Sequence, residues 1–218
     1  SSFPVWRYPS ACSRLGYLHS FCIFTIRQCI QGKGLALIIM EASRVEIAGL
    51  QSFIPADPGP LGLHCFALTT FLLSLVNAGC IPAQSAGHVW LTAAFVLGGG
   101  AQIMAGLFEF RTRNVFGATA FISYGSFWIS LALIPVLVKT GHIPDGDITL
   151  LLAWFLTAWT VFTFYMWLGS FRTNRALLAT FTLLLITFIL LDIGHFGNPS
   201  WNIAGGLVGI MTAISAWY

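Results

Sequence analysis

Charged residues are scarce in this chain. Only 8% of its 218 residues are Asp, Glu, Lys or Arg, whereas soluble domains average about 25%. Hydrophobic residues make up 57% of the chain. So little charge excludes an ordinary soluble domain. The net charge of +3 is not gathered into a basic patch interleaved with aromatic residues, so we expect no nucleic-acid partner.

Catalytic and metal-binding motifs are also absent from the sequence. There is no GxSxG, no HExxH and no glycine loop suited to phosphate. The five cysteines have no CxxC spacing and no histidine at metal-ligand spacing. The run Gly98-Gly99-Gly100 lies within an apolar stretch, so it is not a phosphate loop. We therefore expect no enzymatic activity, no catalytic residue, no metal and no cofactor.

Six long apolar runs take the place of such motifs. A membrane-spanning helix needs about 20 mainly apolar residues. The runs that meet or approach this length are 61–82, 88–108, 116–138, 149–171, 176–193 and 201–218. Short connections between them favour antiparallel neighbours. The sequence therefore predicts an all-α membrane protein with six transmembrane helices, which is a multi-pass protein surrounded by the lipid bilayer.

Basic residues are unequally divided between the two ends of these helices. Nine of the ten precede the first run or lie between runs two and three or four and five. Lys139 alone lies at the opposite end. Because cytoplasmic loops carry an excess of Lys and Arg, both termini are predicted to be cytoplasmic.

Residues 1–56 differ from the rest of the chain. They contain no run long enough to span a membrane, and the first methionine is Met40. We interpret 1–56 as a poorly ordered cytoplasmic tail that precedes a membrane domain at 57–218. One hypothesis is that residues 1–39 are an extension foreign to the native protein. Because the chain stops inside the sixth run, we also expect that a C-terminal tail is missing.

The segment Asp57-Pro58-Gly59-Pro60 opens the first run and continues into Leu61 and Gly62. Proline suits the first turn of a helix, where its missing N–H would have no intrahelical partner. The unpaired N–H groups of a helix start and the helix dipole favour anions. The segment therefore predicts a fixed helix entrance suited to an anion.

Polar side chains within membrane spans are costly and need a reason. Thr70 and Asn77 lie seven residues apart in the first run, and Gln102 and Glu109 lie seven apart in the second. Each pair therefore shares a helix face. With Tyr124 of the third run, they are candidates to line a narrow polar path. The alternative for Ser and Thr hydroxyls is a bond to their own helix.

Two further alternatives stay open at this point. Glu109 either lines the path or forms an ion pair with Arg111 or Arg113 at the membrane edge. Small residues at 98–106 and 205–213 either pack helices within the chain or form an oligomer interface, since small residues let helix backbones approach closely in lipid.

Three blocks of the sequence match motifs of a known family. Residues 57–66 (DPGPLGLHCF) resemble its NPAPLGLxxF signature. The block through Gly99 and Gln102 to Glu109 resembles GGxAQxxAGxxE, and residues 114–128 resemble NxFGxTAFxSYGxFW. The chain from about residue 57 onwards thus resembles the acetate uptake transporter family, which includes bacterial succinate–acetate permeases and yeast ammonia/acetate exporters.

This resemblance implies an architecture and an activity. We expect a six-helix protomer in a homo-hexameric ring, in which each protomer has its own pore. The substrates implied are acetate and similar small monocarboxylates and, in some members, succinate. The protein would be a channel or a proton-coupled carrier in the plasma membrane. Two alternatives are an ammonia or ammonium exporter and a membrane receptor that transports nothing.

The resemblance also implies a hydrophobic constriction in the path. Motif alignment places it at Phe66 and Tyr124, and counting from the loop after the fourth run adds Leu184. Such a constriction excludes hydrated ions by dewetting. The side chains that we expect to bind the substrate are Thr70, Asn77, Gln102 and Glu109.

Asp57 is the main departure from the family signature, which has Asn there. A carboxylate repels an anion at 4 Å by about 1 kcal/mol in water and more at a partly buried site. Asp still caps a helix as Asn does. Three hypotheses follow: Asp57 slows anion uptake, favours the protonated acid, or links transport to pH.

Overall fold

A computed structural model of the protein describes Met40, Arg44 and residues 56–82, 88–144 and 148–218. Most of the predicted tail at 1–56 lies outside the described residues. Contacts divide the chain into Ser1–Ile54 and Pro55–Tyr218. The regular elements described in the second unit are all helices: α1 Gly59–Asn77, α2 Val89–Arg111, α3 Val115–Lys139, α4 Ile148–Ser170, α5 Arg175–Phe196 and α6 Ser200–Trp217.

Five of these helices, α1 to α5, are long and apolar enough to cross a membrane. This confirms the prediction of an all-helical membrane protein. Helix α6 has 18 residues, and Asn202 and three glycines dilute its apolar character. The sixth transmembrane span therefore stays a prediction.

Local side-chain chemistry sets the helix ends. The side chain of Asn114 accepts a hydrogen bond of 3.0 Å from the N–H of Gly117 and starts α3. Asn174 starts α5 in the same way. At the other end of the bundle, α1 stops at Asn77, so the predicted end at residue 82 is wrong. Gly79 adopts φ +75° and turns the chain, although apolar residues continue to Ile81.

Helix α2 is π-helical over Ala94–Ala101, between α-helical turns on either side. This wide segment brings the backbone at Gly98 against α1 and α3. A Cβ on Gly98 would lie 2.8 Å from both Thr69 Oγ1 and Trp128 Cδ1. The absence of a side chain is therefore what allows three helices to meet here.

The small residues of α2 and α6 pack against helices of the same chain. Gly106 of α2 faces Ile122 of α3, and Gly209 of α6 faces Ser74 of α1. Of the two alternatives, these positions support packing within the chain. Helix α6 packs against both α1 and α5, α4 packs on α5, and α2 packs on α3. The aromatic core lies around Tyr124 and Phe127 of α3.

We predict that Gly98→Ala lowers the thermal stability of the detergent-purified protein. The added methyl overlaps Trp128 and forces side chains off their rotamers, which typically costs about 1–3 kcal/mol. Gly100→Ala is the matched control in the same π-helical segment. Its Cβ would meet only Phe95 O at 3.5 Å, so the Tm should stay the same or rise. Equal Tm values for the two variants would contradict the close approach.

Candidate functional site

Two cavities lie among the described residues of the bundle. The first, about 470 Å³ in volume, lies where α1, α3 and α5 begin and α2, α4 and α6 end. Asp57, Glu109 and Asn174 line it, among others. The second, about 270 Å³, lies towards the opposite end of the helices, with Asn77 and His195 in its wall.

Three residues line both cavities, and they are Phe66 of α1, Tyr124 of α3 and Leu184 of α5. Each is at most 6% exposed. The ring centroids of Phe66 and Tyr124 are 5.7 Å apart. We call these three residues the constriction. They come from three helices, so the structure brings together residues that are 118 positions apart at the extremes.

Tyr124 lies in a cluster of aromatic rings. The centroids of Trp159, Phe162 and Phe181 are 5.4–6.2 Å from its own. Its hydroxyl is 3.0 Å from Oγ1 of Thr163 on α4, and either oxygen can be the donor. Tyr124 was predicted both to line a polar path and to belong to the constriction, and in the structure its hydroxyl is hydrogen-bonded to Thr163.

Unpaired buried polar atoms lie beside the constriction. Gln102 is fully buried against the first cavity, and neither atom of its amide has a hydrogen-bond partner among the described residues. Oγ1 of Thr70 and Nε1 of Trp128, beside the second cavity, are also buried without a hydrogen-bond partner among the described residues. Buried polar groups are normally hydrogen-bonded, so these three need an explanation.

Trp128 was missed as a site residue by the sequence analysis. The sequence does contain a signal for it. Trp128 ends the NxFGxTAFxSYGxFW-like block, and its indole N–H is a donor that needs a partner when buried. Asn77 also lines the second cavity, but it is only partly buried and lies at the end of α1.

The entrance to α1 has fewer free donors than its sequence implies. Oδ1 of Asp57, one residue before the N-cap Pro58, accepts a 2.9 Å hydrogen bond from the N–H of Gly59. Pro60 has no N–H, and the N–H of Gly62 bonds to the carbonyl of Pro58. Leu61 is half exposed and lies outside the first cavity. The predicted anion-binding helix start is therefore largely occupied by the protein itself.

Glu109 lies beside this entrance at the end of α2. It is 1% exposed, and its Oε2 accepts a 3.0 Å hydrogen bond from Oγ1 of Thr112. Its Oε1 has no hydrogen-bond partner in the part of the chain that the structure describes. Glu109 therefore lines the first cavity, and its hydrogen-bond partner is Thr112 and not Arg111 or Arg113.

Asp192 of α5 is a half-buried carboxylate. Its position near the end of the fifth run suggests a boundary residue, but its Oδ2 accepts a 2.6 Å hydrogen bond from Thr160 of α4. Oδ1 is buried without a partner among the described side chains. His195, one turn further, lines the second cavity.

Similarity to known proteins extends over all of Pro55–Tyr218. The profile of the GPR1/FUN34/yaaH family matches residues 44–218. The chain belongs to this family. Among other GPR1/FUN34/yaaH relatives, it is 40% identical over 164 residues to the succinate-acetate/proton symporter SatP of Escherichia coli, with 75% of this chain and 85% of that protein covered.

A yeast relative and a solved structure give the same result. The chain is 38% identical over 168 residues to accumulation of dyads protein 2 of Saccharomyces cerevisiae, and this match spans 75% of the chain but only 59% of the yeast protein. The structure of the bacterial acetate channel SatP matches with a TM-score of 0.70 and 39% identity, over 75% of this chain and 89% of the channel. The family assigned from the three sequence blocks is thereby confirmed.

We predict that Gln102→Leu raises the Tm of the purified protein. Leucine has a similar size, and it removes an unpaired buried amide that costs about 1–3 kcal/mol. Thr69→Val is the matched control, because Thr69 is also fully buried but its hydroxyl already bonds to the carbonyl of Cys65. No gain is expected from the control. A Tm lowered by Gln102→Leu would show that the amide has a partner.

Proposed function

We propose that this protein transports acetate and similar small monocarboxylates, together with succinate, across the plasma membrane. The observation that carries the proposal is the pair of cavities that meet at two aromatic rings and one aliphatic side chain, which are Phe66, Tyr124 and Leu184. The similarity to a succinate-acetate symporter and to an acetate channel supports the choice of substrate.

The chemistry of the wall suits a short carboxylate. An apolar constriction excludes hydrated ions by dewetting, while it tolerates the methyl group of acetate. Gln102 lies on one side of the constriction, and Thr70 and Trp128 lie on the other. In this conformation their N–H and O–H groups are buried and have no hydrogen-bond partner among the described residues. If the constriction side chains move, these groups can donate to the carboxylate oxygens, and the new hydrogen bonds would offset the free-energy cost of burying them.

This mechanism needs no catalytic residue or cofactor, and we propose a transporter rather than an enzyme. It is compatible with a channel and with a proton-coupled carrier. In either case Glu109, with an unpaired buried oxygen in the wall of the first cavity, is the group that we propose to meet the substrate or a proton at the mouth. Asn77 has the corresponding place in the second cavity.

The architecture that we propose has six transmembrane helices and two cytoplasmic termini. Residues 57–218 would form the membrane domain and residues 1–56 the tail. Arg111 and Arg172 lie at the end of the bundle that holds the first cavity, so this cavity would open to the cytoplasm. Helices α2 and α4 expose broad apolar faces to lipid or to neighbouring protomers of a homo-hexamer.

The proposal is tested by uptake of radiolabelled acetate into proteoliposomes, with succinate, lactate and ammonium as competitors. We expect uptake well above empty vesicles, with competition by the carboxylates. Leu184→Trp should abolish most of it by filling the constriction. Ile186→Trp is the control, since this side chain lies on the same helix, is exposed and lines neither cavity. Uptake no greater than in empty vesicles, or competition by ammonium alone, would refute the proposal.

We predict that Asp57→Asn raises acetate uptake from the cytoplasmic side at low ionic strength. Removing a like charge about 4 Å from the anion gains about 1 kcal/mol, which is roughly a fivefold change. The amide oxygen still accepts the hydrogen bond from Gly59. The gain should shrink in salt near 1 M, where the Debye length is about 3 Å. Equal rates and equal pH profiles of uptake for the parent and the variant at low salt would contradict all three hypotheses for Asp57.

A further inference from the structure

Thr163 stands behind the constriction and not in the path. It lies on α4, is fully buried and lines neither cavity. Its single described hydrogen bond, of 3.0 Å, joins Oγ1 to the hydroxyl of Tyr124 on α3.

Other threonines of α4 bond to their own helix. Thr157 donates to the carbonyl of Ala153, which is the usual bond to a residue four positions back. The hydroxyl of Thr160 is shared between the carbonyl of Leu156 at 3.0 Å and Oδ2 of Asp192 on α5 at 2.6 Å. Thr163 has no bond to its own helix among the described residues, and its hydroxyl pairs with Tyr124 of α3 alone. It therefore ties α4 to the one constriction residue that carries a polar atom.

The bond determines what the constriction presents to a permeant ion. Phe66 and Leu184 contain no side-chain polar atom, so the hydroxyl of Tyr124 is the only polar side-chain atom of the three. While Thr163 binds this hydroxyl, the surface facing the path is hydrocarbon. Aromatic rings around Tyr124, including Phe162 at 5.4 Å, hold it in the same orientation.

We propose that Thr163 is a specificity-determining positioning residue, which keeps the Tyr124 hydroxyl out of the path so that the constriction stays dry. The inference rests on the proposed transport function. Without Thr163, the hydroxyl is left unpaired among apolar side chains, and its nearest source of a partner is water or an anion in the adjoining cavities. A hydrated constriction then loses its barrier to hydrated ions.

The experiment compares acetate uptake with chloride leak in proteoliposomes of the full chain. Chloride is followed with a fluorescent indicator sealed inside the vesicles. In Thr163→Val, which keeps the shape but removes the hydroxyl, we expect the acetate-to-chloride ratio to fall about 5- to 10-fold. Thr163→Ala removes the same group with less volume and is expected to act in the same direction. Thr163→Ser keeps the hydroxyl and should restore the parental ratio.

A double variant separates the bond from general damage to the fold. Adding Tyr124→Phe to Thr163→Val removes the stranded hydroxyl, so the constriction is hydrocarbon again and the ratio should return towards the parental value. A merely structural role for Thr163 predicts the opposite, because the second substitution would add to the damage.

Thr182→Val is the control for loss of a threonine bond between helices. Its hydroxyl accepts a 3.0 Å hydrogen bond from Nε1 of Trp167, and neither residue lines a cavity. We expect it to leave the acetate-to-chloride ratio unchanged, because it does not touch the constriction.

The outcomes distinguish this inference from the proposed function. If the parent protein carries no acetate, the proposed function fails. If the parent carries acetate but Thr163→Val and Thr163→Ala keep its acetate-to-chloride ratio, or if Tyr124→Phe worsens the leak of Thr163→Val, the inference about Thr163 is overturned while the function stands.

Discussion

The packing of Tyr124 among four helices is the contact on which the site depends. Its ring lies against Phe66 of α1, Trp159 of α4 and Phe181 of α5, while the residue itself belongs to α3. In lipid there is little hydrophobic drive between helices, so close van der Waals contact must hold them together. This contact does so, and it also divides the interior into two cavities. The same side chains therefore stabilise the bundle and separate the two cavities.

Around this contact the protein retains polar groups that its own fold does not satisfy. The amide of Gln102 and the indole N–H of Trp128 are buried without partners among the described residues. A structure selected for stability alone would replace them with carbon or pair them. Under the proposed transport function, their position on either side of the constriction gives a physical reason for their presence, since a passing carboxylate would supply the acceptors that the protein lacks. Stability is lower where binding is needed.

Two acidic side chains, Asp57 and Glu109, lie at the mouth of the first cavity. One oxygen of Asp57 accepts the N–H of Gly59, and Glu109 has one oxygen bonded to Thr112 and one unpaired among the described residues. Both carboxylates lie within 4 Å of the point where a side chain on Gly59 would begin. Under the proposed transport function, an incoming anion would meet these two carboxyl groups at the mouth before it reached the donor groups deeper in the wall.

The sequence by itself determined the class, the family and most helix positions, because apolar runs of membrane length and motifs such as DPGPLGLHCF are local features. It misplaced the end of α1, since an apolar run does not stop where Gly79 turns the chain. Only the tertiary structure decided that the Tyr124 hydroxyl belongs to Thr163 and that Trp128 lacks a partner. Those facts depend on contacts between helices, and no spacing along one helix encodes which hydroxyl of another helix will meet it.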